Sequence, residues 1–291
     1  MIPKIYSIIF RPFAVLAALL LGLSVGSVFA QAPKWKEWEA AGDSLYERQD
    51  FEGAENWFTK VLDANKGKQR DREMASVLYK RAVCFYSTGQ MEKALKDVDE
   101  FVTLVPGSPQ PFVLKAFIYR DLDDEDKEFE NVNKAIQMMP PNADFMKWRA
   151  LLHLRKNHFA DAKTDVRQAI QMQDDPESET YLGLCYYNLG KKDSAYMSFN
   201  KSIELDATYL PAYLYAGSVS LEDGSYELGL KYLNLALRLD PHNKEAMFYK
   251  GVALVELKKE DEGCRCLNKA FYWGFDEAGE YLKEYCYDSD N

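Results

Sequence analysis

Apolar and small residues recur along this chain at helical spacing, in short stretches that come in pairs. A small residue is followed by an aromatic or aliphatic residue four positions on, then by another small or aliphatic one: Ala54-Phe58-Val61, Ala94-Val98-Phe101, Ala162-Val166-Ala169, Ala195-Phe199-Ser202, Gly229-Leu233-Ala236 and Gly263-Leu267-Ala270. The set is completed by Glu128-Val132-Ala135, and its leading positions 94, 128, 162, 195, 229 and 263 are 34, 34, 33, 34 and 34 apart. Such spacing predicts one side of an amphipathic helix, repeated. Twelve residues before each leading position stands a second small residue: Gly42, Ala82, Ala116, Ala150, Gly183, Gly217 and Gly251. Each lies in its own amphipathic stretch, as in Trp38-x3-Gly42-x2-Leu45. Gly89-Gln90, Asn157-His158, Gly190-Lys191 and Gly224-Ser225 mark turns between the two stretches, and Pro106, Pro140 and Pro241 follow the second. Proline lacks the amide for the next helical bond and disfavours a helical predecessor. Each unit therefore reads as two antiparallel helices, with small residues where the backbones come closest.

Residues 1–30 break this pattern. Lys4 and Arg11 precede an apolar run from Phe13 to Val25, and Ser27-Val28-Phe29-Ala30 puts short side chains at a cleavage site. That is the composition of a secretory signal peptide, cut after Ala30. The apolar core is shorter than the roughly 20 residues a membrane span needs. No cysteine precedes Cys84, which closes the route to a lipid-modified N-terminus. The expectation is a soluble exported protein, periplasmic in a Gram-negative cell.

The repeat resembles the tetratricopeptide repeat, whose pattern is W-x2-L-G-x2-Y, then A-x3-F, then A and P. Seven units run about 35–68, 75–108, 109–142, 143–175, 176–209, 210–243 and 244–277, and the fifth, with Leu182-Gly183-x2-Tyr186, Gly190, Ala195 and Phe199, matches best. The resemblance implies an all-α, right-handed superhelical solenoid over residues 31–287. An amphipathic stretch at 277–287 reads as the helix that caps its open end, and 288–291 as an acidic tail. Two departures stand out. Glu128 replaces a small residue, so the helices of the third unit are expected to splay or shift register. Residues 69–74 are an insertion expected to lengthen a helix or loop.

In that family the first helix of each unit lines an inner groove. Carried over position by position, this implies a wall of Tyr79, Val83 and Tyr86; Val113, Phe117 and Arg120; Lys147, Leu151 and Arg155; Thr180, Leu184 and Tyr187; Leu214, Ser218 and Leu221; and Phe248 and Val252. Aromatic and arginine side chains are those that dominate binding surfaces. Arg120, Lys147 and Arg155 would be basic spots that orient a ligand. Members that dock a chaperone's terminal carboxylate use Lys and Asn where this chain has Glu39 and Asp43, which would repel it.

Composition narrows the chemistry. With 36 basic and 46 acidic residues the net charge is −10, against nucleic-acid binding, which needs basic patches. Loss of Lys4 and Arg11 with the leader leaves 34 basic against 46 acidic residues, or −12. His153 falls inside a first helix, His158 in a turn and His242 after Pro241, without neighbours at the spacing of a metal site. No nucleophile motif or phosphate loop occurs, and Asp121–Asp126 lacks calcium-loop spacing. No catalytic residue, cofactor, metal or small-molecule substrate is assigned. Cys84 and Cys185 share a packing slot and read as inert core thiols. Cys286 is a candidate to bridge Cys264 or Cys266, tying the cap to the seventh unit in an oxidising compartment.

The sequence thus points to a non-enzymatic, exported adaptor whose groove holds a peptide or helical segment of an envelope protein. The alternative is a spacer or assembly scaffold that acts through its convex face or ends.

Overall fold

The computed structural model describes residues 34–66 and 72–287. The expected leader, the acidic end and residues 69–71 of the insertion lie outside them. The described residues form fifteen α-helices and no strand: α1 Lys34–Glu47, α2 Phe51–Ala64, α3 Arg72–Ser87, α4 Met91–Leu104, α5 Gln110–Asp121, α6 Glu125–Met138, α7 Ala143–Arg155, α8 Phe159–Met172, α9 Pro176–Asn188, α10 Lys192–Leu205, α11 Leu210–Glu222, α12 Tyr226–Leu239, α13 Lys244–Glu256, α14 Glu260–Tyr272 and α15 Glu277–Tyr285. Residues 72–74 open α3, at 16 residues the longest of these helices. Two compact units, 1–131 and 132–291, part within α6.

One device makes the turn inside every helix pair. Gln49, Gly89, Asp123, Asn157, Gly190, Gly224 and Lys258 all have φ between 55° and 77°. At each, the left-handed residue and its successor bond back to the helix just ended, as in Gly89 N to Tyr86 O (3.0 Å) and Gln90 N to Phe85 O (2.7 Å). This is a Schellman end, which satisfies the last carbonyls. The successor also opens the next helix, and Asp50 does so with a side chain that accepts from Gly53 N at 3.0 Å. Asp123 makes the same left-handed turn 34 residues after Gly89, so the α5–α6 pair turns as the others do. Glu128 is itself buried.

Packing within a pair follows a size rule at a separation of 16 residues. Gly42 faces Phe58, Gly183 faces Phe199, Gly217 faces Leu233 and Gly251 faces Leu267, each so closely that an added Cβ would lie 2.6–2.8 Å from the partner side chain. Where the first helix carries alanine, the partner shrinks: Ala82 shares a core with Val98 and Ala150 with Val166. Polar groups use the same separation. Arg81 grips Asp97 through Nε (2.7 Å) and Nη2 (2.8 Å), and Arg149 grips Asp165 at 2.7 and 2.6 Å. Both carboxylates are buried, and such forked pairs fix helix orientation as well as charge.

Candidate partner-binding face

In the first compact unit the candidate residues lie on α3 and α5 and are half-buried. Tyr79 sets its ring 5.5 Å from that of Phe101, tilted by 50°, and lines a crevice of about 780 Å³ with Ala75, Leu104 and Pro109. Tyr86 donates to Asp121 Oδ2 at 2.7 Å; burial, then the Asp121 carboxylate, push its hydroxyl up to about 12. The Arg120 guanidinium lies 4.9 Å from the Phe117 ring centre, and Val83 packs with Tyr86 against the Ala82–Val98 core. On α1, Asp43 is paired with Lys80 at 2.6 Å and Glu39 with Lys36 at 3.1 Å.

The second unit rearranges the expected wall. Lys147 is only 8% exposed. Its ammonium lies 3.0 Å from Asp175, 2.9 Å from Glu177 and 3.2 Å from Asp144. Burial works to lower its pKa, but the bonds and charges of Glu177 and Asp175 outweigh that and hold it raised. It is therefore a tie between α7 and the start of α9, not a basic spot for a ligand. Thr180, Leu184, Leu214, Ser218 and Phe248 are likewise buried. Thr180 shares a hydrogen bond of 2.9 Å with Ser202. Phe248 meets Phe275 at 4.7 Å and Tyr281 of α15 at 5.3 Å, because the cap covers the last pair and takes that position into its core. Leu151, Arg155, Tyr187, Leu221 and Val252 stay half-buried at the surface.

A column absent from the expected set runs beside them. Trp148, Tyr181, Tyr215 and Tyr249 occupy one position of α7, α9, α11 and α13, at intervals of 33, 34 and 34. The 34-residue spacing is the sequence signal of this column, which lies outside the family's groove positions. Carboxylates flank the tyrosines. Tyr181 donates to Glu177 at 3.1 Å, and burial followed by the Glu177 charge sets its pKa well above the ordinary value. Burial and then Glu245, Glu222 and Glu277 raise Tyr249. Burial, then repulsion from Glu277, lift Glu245 from 4.5 to about 7. Tyr215 is itself buried, so the aromatic surface is that of Trp148, Tyr181 and Tyr249, half-buried and with negative charge beside it, suited to apolar and basic side chains.

Cys264 and Cys286 are joined in a disulfide, linking α14 to the end of α15, while Cys84, Cys185 and Cys266 are free. Burial pushes the Cys84 and Cys185 thiols up to about 12. The turn after α7 corrects one reading: His153, His158 and Asp161, which their spacing did not suggest as partners, bring one donor atom each within 4.8 Å of one another.

Known proteins place this architecture. Residues 39–109 and 149–209 match the tetratricopeptide repeat family model. The human tetratricopeptide repeat protein 13 is 25% identical over 151 residues, 50% of this chain and 17% of its own. The chain spans under half the length of the curated relatives it matches. A tetratricopeptide repeat protein from Parabacteroides merdae superposes with a TM-score of 0.70 at 13% identity, covering 86% of this chain and 97% of that one. YrrB, described as a TPR protein with an unusual peptide-binding site, gives a TM-score of 0.54 at 21% identity, over 66% and 97% of the two chains. Two stretches of the chain thus match the tetratricopeptide repeat, and its helices take the fold of the tetratricopeptide solenoids. No helix among the described residues is long and apolar enough to cross a membrane.

Proposed function

We propose that the protein is a non-enzymatic, exported adaptor that binds an extended or helical segment of an envelope protein on the wall formed by α7, α9, α11 and α13. The tyrosine column flanked by carboxylates carries this reading. Tyrosine supplies large contact area at low entropic cost, and Trp148, Tyr181 and Tyr249 are the half-buried members that offer it. The sign of charge differs from the sequence expectation: with Lys147 held by Asp175 and Glu177, the exposed Glu222 and Glu277 favour a segment bearing Lys or Arg among apolar residues. YrrB supports peptide binding as a use of this fold. The leader-like N-terminus and the Cys264–Cys286 bridge support export, since disulfides persist in oxidising compartments.

The test is crosslinked capture from the native envelope with tagged residues 31–291, beside the triple variant Tyr187→Ala, Glu222→Lys, Tyr249→Ala. Circular dichroism monitors the fold of both. A partner held by the wild type and lost by the folded variant supports the adaptor. Equal capture by both transfers the function to the outer surface or ends, as a scaffold.

A further inference from the structure

The α7–α8 turn gathers three metal-binding side chains that no other turn of the described chain combines. His153 lies in the last turn of α7, His158 precedes α8 and Asp161 lies in its first turn. The backbone fixes the first two: His158 N bonds to His153 O at 2.8 Å, across the left-handed Asn157, and their rings lie 5.8 Å apart. Asp161 follows His158 by one helical turn, so it shares its side of α8. The corresponding trios elsewhere, such as Phe85-Gln90-Lys93 and Leu254-Lys259-Glu262, offer no imidazole.

We propose that His153, His158 and Asp161 form a Zn²⁺ site that clamps the α7–α8 hairpin. Two imidazoles and one carboxylate are borderline donors that suit zinc and its neighbours in the transition series, and they are poor for calcium or magnesium. Bond lengths of about 2.0–2.2 Å in a tetrahedron put donors about 3.3 Å apart. The present separations, at most 4.8 Å, close to that by rotating His158 and Asp161, both exposed. Asp165 Oδ2 stands 3.9 Å from His153 Nε2, beyond hydrogen-bond reach, and is held by Arg149; it adds a negative charge beside the site and does not hold the imidazole. Three protein ligands leave the fourth position to water. Binding releases no covalent product and needs no second reactant; it stabilises the folded state by mass action.

Calorimetric titration of Zn²⁺ into metal-stripped protein, residues 31–291, tests this. One ion bound per chain is expected, with a rise in Tm. His158→Ala and Asp161→Ala, both at exposed positions, are each expected to weaken binding at least tenfold with unchanged helicity. A hundredfold excess of Ca²⁺ should not displace the ion. Absence of stoichiometric binding, undiminished binding in both variants, or displacement by Ca²⁺ would each overturn the proposal.

Discussion

Gly183 lies so close to the ring of Phe199 that a Cβ on it would come within 2.6 Å of Cε1. Phe199 is fully buried, so its ring has nowhere to retreat. Gly183→Ala should destabilise the protein by about 1–3 kcal/mol through overpacking, despite alanine's better helix propensity. Adding Phe199→Val recreates the Ala150–Val166 combination. The double variant should be more stable than the sum of the two single effects predicts, by about 1 kcal/mol or more in a double-mutant cycle from urea unfolding. Simple additivity would show that the two residues do not share one space.

Lys258 takes a left-handed turn position, φ 61°, that Gly224 fills with glycine at φ 74°. A side chain there meets its own backbone, a cost glycine escapes. Lys258→Gly should stabilise by about 0.5–1 kcal/mol, and Gly224→Ala should destabilise by about 1 kcal/mol. Thermal unfolding of the two variants reads both signs, and a loss of stability in Lys258→Gly would contradict the turn assignment.

Glu245 has a buried carboxylate oxygen without a hydrogen-bond partner, with Glu277 of α15 as the charge that raises it most and Tyr249 beside it on its own helix. Its folded pKa is about 7 against an ordinary 4.5. Between those values the folded chain keeps a proton that the unfolded chain has released, so stability falls as pH rises, and the loss is complete above the folded pKa. Glu245→Gln should therefore be more stable than wild type at pH 8, by on the order of 1–3 kcal/mol, and the gap should close towards pH 4. Urea midpoints at the two pH values measure it; an equal gap at both would sink the assignment.

The Cys264–Cys286 bridge closes a loop across 22 residues and contains the whole of α15. Cross-linking a loop of that size stabilises by about 3 kcal/mol in the chain-entropy description. Reduction, or Cys286→Ser, should lower Tm and raise amide exchange in α15 before the remaining helices. Unchanged exchange in α15 would show that Phe248, Phe275 and Tyr281 hold the cap by packing alone.

What the sequence made legible is the part of the structure that repeats. Helix pairs, turns and small contact residues return every 34 positions, so a single periodicity exposes them together. The left-handed turn residues Gln49, Asp123 and Lys258 were harder to see, because they do the work of glycine without being glycine. The candidate wall was legible only as positions. Whether Lys147 meets solvent depends on Asp175, 28 residues on in the start of another pair, and whether Phe248 does depends on α15. Such contacts between successive pairs carry no period of their own. The His153–His158 pair was missed for a related reason: a turn, and not a helix face, makes residues five apart into neighbours.

The matched sizes across each pair have an evolutionary consequence. A first helix bearing glycine, recombined with a second bearing valine, would leave a void; one bearing alanine, set against phenylalanine, would clash. Gene duplication and shuffling can therefore exchange material cleanly only at the links between pairs. The heritable module of this chain is the hairpin, and a crossover inside one is selected against by packing alone.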